Sequence, residues 1–179
     1  PYPSAEEDFQ MLPDCLRFFA AEARHMEGKL IPDYDGQHIN MIIHKPVGVV
    51  VGYLAWNFPI LNIAYKLGPV LASGCTCVLK PSSSTPLASL YIAELSLEAG
   101  FPAGVINIIA GEGGSICKVL NESGIPDMIT LIGSSETGCR IMEQGATSIK
   151  RYSLELGGNA PVLVMKDADV ADAAQKVAG

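Results

Sequence analysis

Val47-Gly48-Val49-Val50-Val51-Gly52-Tyr53-Leu54 is an almost continuous apolar run, and Ala55-Trp56-Asn57-Phe58-Pro59 follows it directly. A β-branched strand that is apolar on both faces belongs in a parallel sheet with helices on both sides. Working outward, similar short runs recur at 75–79, 105–110, 128–132 and 161–165, and a further extended segment lies around 149–154. Helical periodicity fills the gaps at 60–72, 86–99, 114–121, 135–144 and 170–177. Alternating strands and helices with right-handed crossovers predict an α/β domain, a doubly wound parallel sheet of Rossmann-like type.

Before Val47 the pattern differs. Ser4 with Glu7 fits a capping box. Pro13 should interrupt or kink the helix that follows, which resumes over 14–27 with Leu16, Phe19, Ala20 and Ala23 on one face. Gly28 reads as its C-terminal stop. Asp35-Gly36 then divides two short extended segments, a hairpin ending near Lys45-Pro46. Three units are expected: N-terminal helices over 1–28, a hairpin over 29–46 and a dinucleotide-binding domain over 47–179.

Composition bounds the function. Hydrophobic residues are 49% and charged residues 17% of the 179, which suggests surface meant for a partner or a further segment. A net charge of −7 argues against nucleic acid, which usually meets a basic face. No apolar run approaches the ~20 residues of a membrane span, and no signal peptide is visible. The start lacks an initiator Met, so the chain reads as a fragment. Cys15, Cys75, Cys77, Cys117 and Cys139 fit no zinc spacing, so no metal is expected; they suit a reducing cytoplasm.

Ligands of open α/β sheets bind at the carboxyl ends of the strands, and the polar residues of interest fall there. Asn57 follows the first strand, Lys80 ends the second, Gly111-Glu112-Gly113-Gly114 follows the third, and Gly133-Ser134 follows the fourth. Glu155 closes a fifth segment. The Gly113 turn fits either a phosphate or a plain strand-helix turn. Gly133-Ser134 fits a pyrophosphate at a helix N-terminus or simple capping. Asn57 can donate to a developing oxyanion. Glu155, between Leu154 and Leu156, can serve as a base if burial raises its pKa. Lys66, on the helix after Asn57, can face the same cleft.

Taken together, Trp56-Asn57-Phe58-Pro59, Lys66-Leu67-Gly68-Pro69, Lys80-Pro81, Gly133-Ser134-Ser135-Glu136-Thr137-Gly138 and Leu154-Glu155-Leu156-Gly157-Gly158 resemble the aldehyde dehydrogenase superfamily over nearly all of 29–179. The resemblance implies NAD- or NADP-dependent oxidation of a small aldehyde to a carboxylic acid. It implies Asn57 as the oxyanion amide, Glu155 as the base that activates the hydrolytic water, and Lys66 in a proton path. It implies cofactor contacts at Trp56, Lys80, Ser83, Gly113, Gly133, Ser134, Leu156 and Gly157. It also implies that the hairpin bridges subunits of a homodimer or homotetramer.

Two departures stand out. The family often has Glu at the position of Ser83, where it binds ribose hydroxyls and would repel a 2′-phosphate; Ser83 therefore implies tolerance of NADP. The family's nucleophilic Cys is expected beyond Gly179, and none of the five cysteines present takes its role, so the fragment alone is expected to be inactive. The rival from another class is a non-catalytic dinucleotide-binding or scaffold module. Reduction of an acyl phosphate is disfavoured by the Glu155 motif.

Overall fold

The structure is a computed structural model that describes residues 2–178; Pro1 and Gly179, the outer bounds of the expected first and last units, lie outside the described residues. Helix α1 (Tyr2–Glu22) runs unbroken through Pro13. Sequence reasoning predicts a break there, because proline loses a backbone donor. Packing of α1 along α2 (Pro59–Ala72) supports the helix instead. Ser4 and Glu7 lie inside α1, so they form no N-terminal capping box. Nor does Gly28 stop the helix, which ends at Glu22. A Cβ at Gly28 would stand 2.6 Å from the Ile42 carbonyl oxygen, so close backbone approach explains that glycine.

Strands β1 (Lys29–Pro32) and β2 (Ile39–Ile42) form the expected antiparallel hairpin. Gly36 turns it at φ +70°, a conformation that favours glycine. Every residue of both strands is exposed.

The main sheet contains β3 (Val49–Tyr53), β4 (Thr76–Lys80), β5 (Ile106–Ile108), β6 (Met128–Ile132) and β7 (Arg151–Glu155), in the order β5-β4-β3-β6-β7. All pairings are parallel. Helices α2, α3 (Leu87–Glu98), α4 (Gly113–Glu122) and α5 (Ser135–Gly145) are the crossovers. The chain reverses its winding between β3 and β6, which creates the switch point where ligands bind such sheets.

Strand alternation divides the core. Val50, Cys77 and Leu79 pack with Ile63, Leu67 and Val70 of α2 and Ile92 of α3. Val51, Tyr53, Ile129 and Leu131 pack with Ile141 of α5 on the other face, with Cys117 and Leu120 of α4 against them. The doubly wound reading holds for β3 to β7.

It fails at 161–165, which carries no strand. Val162, Leu163, Val164 and Met165 are all more than half exposed. Their composition favours a strand, but β-structure requires a neighbour to accept and donate the ladder, and among the described residues no strand pairs with them. Helix α6 (Val170–Ala178) follows with no buried residue.

Candidate active site

Register aligns the carboxyl ends of four strands. Tyr53 pairs with Lys80 on one side and Leu131 on the other, and Ile132 pairs with Glu155. Lys80 and Glu155 therefore stand three strands apart, roughly 14 Å at the usual strand spacing. Because side chains alternate, the two point to opposite faces. Lys80 faces α4 and α5, whereas Glu155 faces α2.

On the α4/α5 face lies a cleft of about 520 Å³. It gathers Trp56, Lys80, Ser83, Gly113, Gly133 and Ser134, six residues named from the sequence. Lys80 is buried, and its Nζ donates to the Pro81 carbonyl at 3.1 Å. The Ser83 hydroxyl donates to the Gly111 carbonyl at 3.1 Å, tying two loops of the cleft rim together. Leu156 stands against Gly138 of α5, and Gly157 has no neighbour near its Cβ position; neither lines the cleft.

The two helix N-termini at the cleft are not equivalent. The Glu112 carboxylate accepts from the Ser115 and Gly114 N–H groups at 2.7 and 2.6 Å and from the Ser115 hydroxyl at 2.8 Å. These bonds, the Ser115 N–H foremost, pull Glu112 from its ordinary 4.5 to about 2. The protein's own anion thus occupies the start of α4. At α5 a neutral hydroxyl caps instead, Ser134 Oγ accepting from Thr137 N at 3.2 Å. The first turn of α5 also carries Glu136, whose carboxylate is paired with Arg140 at 2.8 Å, so the N–H groups at that end are not occupied by a carboxylate cap as they are in α4.

Sequence reasoning missed the far wall of the cleft. Thr137, Arg140 and Gln144 of α5 and Cys117 of α4 line it. Behind them the Tyr53 hydroxyl donates to Asn121 Oδ1 at 2.6 Å, and Asn121 Nδ2 donates to Gln144 Oε1 at 2.8 Å. Burial pushes the Tyr53 phenol up, keeping it a donor. The signal in the sequence was Asn121, polar at the end of an apolar helical face.

Across the sheet a second cavity, about 490 Å³, holds Lys66 and Glu155 together with Asn62, Tyr65, Ile132 and Ser153. Ile132 borders both cavities. Lys66 is buried, and burial draws its ammonium below the ordinary value while the Glu155 carboxylate opposes that shift. The burial expected of Glu155 is not found; its side chain is exposed. Its carbonyl accepts from Gly133 N at 3.0 Å, which joins the end of β7 to the turn before α5.

Asn57 lines neither cavity. It is exposed and receives a hydrogen bond from Asn62, one turn into α2. Cys75 and Cys77 are buried in the core, and Cys117 lies on the cleft face. Among the described residues, no cysteine lines the cavity of Glu155.

The chain matches the aldehyde dehydrogenase family over residues 1–179. It is 41% identical over 170 residues to the succinate-semialdehyde dehydrogenase [NADP(+)] of Escherichia coli (strain K12), covering 95% of this chain and 35% of that protein. A solved NADP-dependent enzyme of E. coli superposes with a TM-score of 0.93 at 40% identity, covering 98% of this chain and 36% of the other. An NAD-dependent aldehyde dehydrogenase from Sinorhizobium meliloti superposes at 0.91 with 37% identity, covering 96% and 34%. The chain spans about a third of the length of these relatives.

Proposed function

The chain belongs to the aldehyde dehydrogenase family, and from that premise we propose that the protein oxidises an aldehyde to a carboxylic acid with NAD or NADP. The observation that carries this reading is the placement of Lys66 and Glu155 in one cavity, with the cofactor cleft on the other side of the same strand ends.

A dinucleotide suits the cleft. The α5 N-terminus, capped by the neutral Ser134 hydroxyl with Glu136 drawn to Arg140, can receive a pyrophosphate beside Gly133, and Lys80 on the same cleft can donate to ribose hydroxyls. The roughly 14 Å from Lys80 to Glu155 lets a dinucleotide cross the switch point towards the base. When bound, the cofactor accepts hydride.

The chain's own residues do the remaining work. Asn57 donates its Nδ2–H to the substrate oxygen as negative charge develops there. Glu155 takes a proton from the water that releases the acid, and its exposure leaves room for that water. Lys66, its cation disfavoured by burial, can pass that proton onward. None of the five cysteines lines the cavity of Glu155, so the attacking thiol is assigned to another residue of the complete enzyme. A scaffold module would have no use for the Lys66–Glu155 cavity. Five unpaired thiols suit a reducing compartment such as the cytoplasm. The 29–46 hairpin is the subunit bridge of a dimer or tetramer, and residues from 47 onward form the dinucleotide-binding unit.

The test is Glu155→Gln in the complete enzyme. We expect the steady-state rate to fall about 10²–10⁴-fold, while the first-turnover burst of reduced cofactor survives. A steady-state rate equal to wild type would remove Glu155 from the mechanism.

A further inference from the structure

We propose that Asn62 is a positioning residue that sets which way the Asn57 carboxamide points. The proposal rests on the reading of Asn57 as the oxyanion donor. Asn62 is 5% exposed, a polar residue among the apolar residues of α2. A buried amide must be hydrogen-bonded, and Asn62 Nδ2 donates to the Ala55 carbonyl at 3.3 Å and to Asn57 Oδ1 at 3.2 Å.

These two bonds fix both amides. A backbone carbonyl only accepts, so the Asn62 atom facing Ala55 must be nitrogen. That nitrogen has two hydrogens, and the second points at Asn57. The Asn57 atom that receives it must be oxygen. Asn57 Nδ2 is thereby turned away from α2, and it has no other side-chain partner among the described residues. One unambiguous acceptor, the Ala55 carbonyl, therefore sets the orientation of both amides. The catalytic donor is presented before substrate arrives, which is what electrostatic preorganisation requires.

The frame behind Asn62 is equally specific. Helix α2 begins with Pro59, and Phe58 offers no side-chain cap. The cap comes from α1, where buried Asp8 accepts from Ile60 N at 3.1 Å and Leu61 N at 2.9 Å. Asp8 holds the first turn of α2, and Asn62 holds Asn57 from that turn.

The test is a double-mutant cycle in the complete enzyme. Asn62→Met removes the donor. Asn62→Asp keeps the size but offers only acceptors, so it draws Asn57 Nδ2 inward and turns the oxygen towards substrate. Each is made alone and with Asn57→Ala. We expect the single-turnover rate to fall about fivefold for Asn62→Met and about 30-fold for Asn62→Asp, as a neutral and a charge-assisted bond are lost or reversed. Cofactor KM and the thermal midpoint of Asn62→Met should stay near wild type. In the Asn57→Ala background neither change should cost more than about twofold, because the groups act in series. Equal losses in both backgrounds, or an unimpaired Asn62→Asp enzyme, would overturn the positioning role. If Asn62→Asp does not fold, Asn62→Met decides alone by the same comparison. An Asn57→Ala enzyme with full rate would instead overturn the oxyanion reading itself, and the inference with it.

Discussion

At residue 83 a hydroxyl lines the cleft proposed to hold the cofactor, and on that reading a carboxylate there would discriminate against a phosphorylated ribose. Ser83 donates to the Gly111 carbonyl, so its side chain is already directed across the rim. Replacing it by glutamate would put a negative charge near any 2′-phosphate, at a Coulomb cost of about 1–4 kcal/mol between water and protein-surface conditions. Ser83→Glu should therefore raise the Kd ratio of NADP⁺ to NAD⁺ about tenfold or more in calorimetric titrations. An unmoved ratio would mean that specificity is set elsewhere in the cleft. Lys80 and Arg140 also line that cleft, Arg140 already paired with Glu136 at 2.8 Å.

Among the elements, α4 carries the clearest pH signature. Glu112 is depressed from 4.5 to about 2 by donors at the first turn of α4. A depressed carboxylate stabilises the fold above its unfolded pKa, and that contribution disappears as pH falls through the folded one. Wild type should therefore exceed Glu112→Gln in stability at neutral pH, and the gap should close between about pH 4.5 and about 2. Thermal midpoints of both proteins across that range provide the check; a gap independent of pH would show that the cap works without its charge. Helix α2 depends on a neighbour in another way. Gly68 lets α1 approach, since a Cβ there would meet Phe19 Cδ2 at 2.5 Å with Cγ and Cβ close behind. Asp8 then reaches the start of α2 from the same helix. On the proposed reading of Asn57, its placement begins in a helix that contributes no residue to either cavity.

Considered whole, the molecule has a well-buried sheet and two poorly covered regions, the β1–β2 hairpin and the 156–178 stretch. An isolated two-stranded sheet is marginal in water. This one displays Leu30, Ile39 and Met41 at 68%, 75% and 67% exposure, with Leu30 paired to Met41. Such a surface needs a partner, in keeping with its proposed role as a subunit bridge. Ile39→Asp with Met41→Asp in the complete enzyme should lower the assembly mass measured by sedimentation. An unchanged mass would exclude the hairpin face. No helix among the described residues is long and apolar enough to cross a membrane.

The amino-acid sequence by itself determined what depends on local order. The β-branched runs specified β3, β4 and β6. The apolar periodicities specified α2 to α5, and the strand-end positions of Lys80 and Glu155, with Ser134 at the start of α5, followed from the same alternation. A strand's period of two and a helix's period of 3.6 are written in neighbouring residues. Only the tertiary structure decided what depends on residues far apart in the chain. It carried α1 through Pro13 and left 161–165 without a strand partner. It put Lys80 and Glu155 on opposite faces of one sheet. Asn62 and Asp8 belong to this second class. Their meaning lies in which donor meets which acceptor, and hydrogen bonds between separate elements form only once packing has brought those elements together.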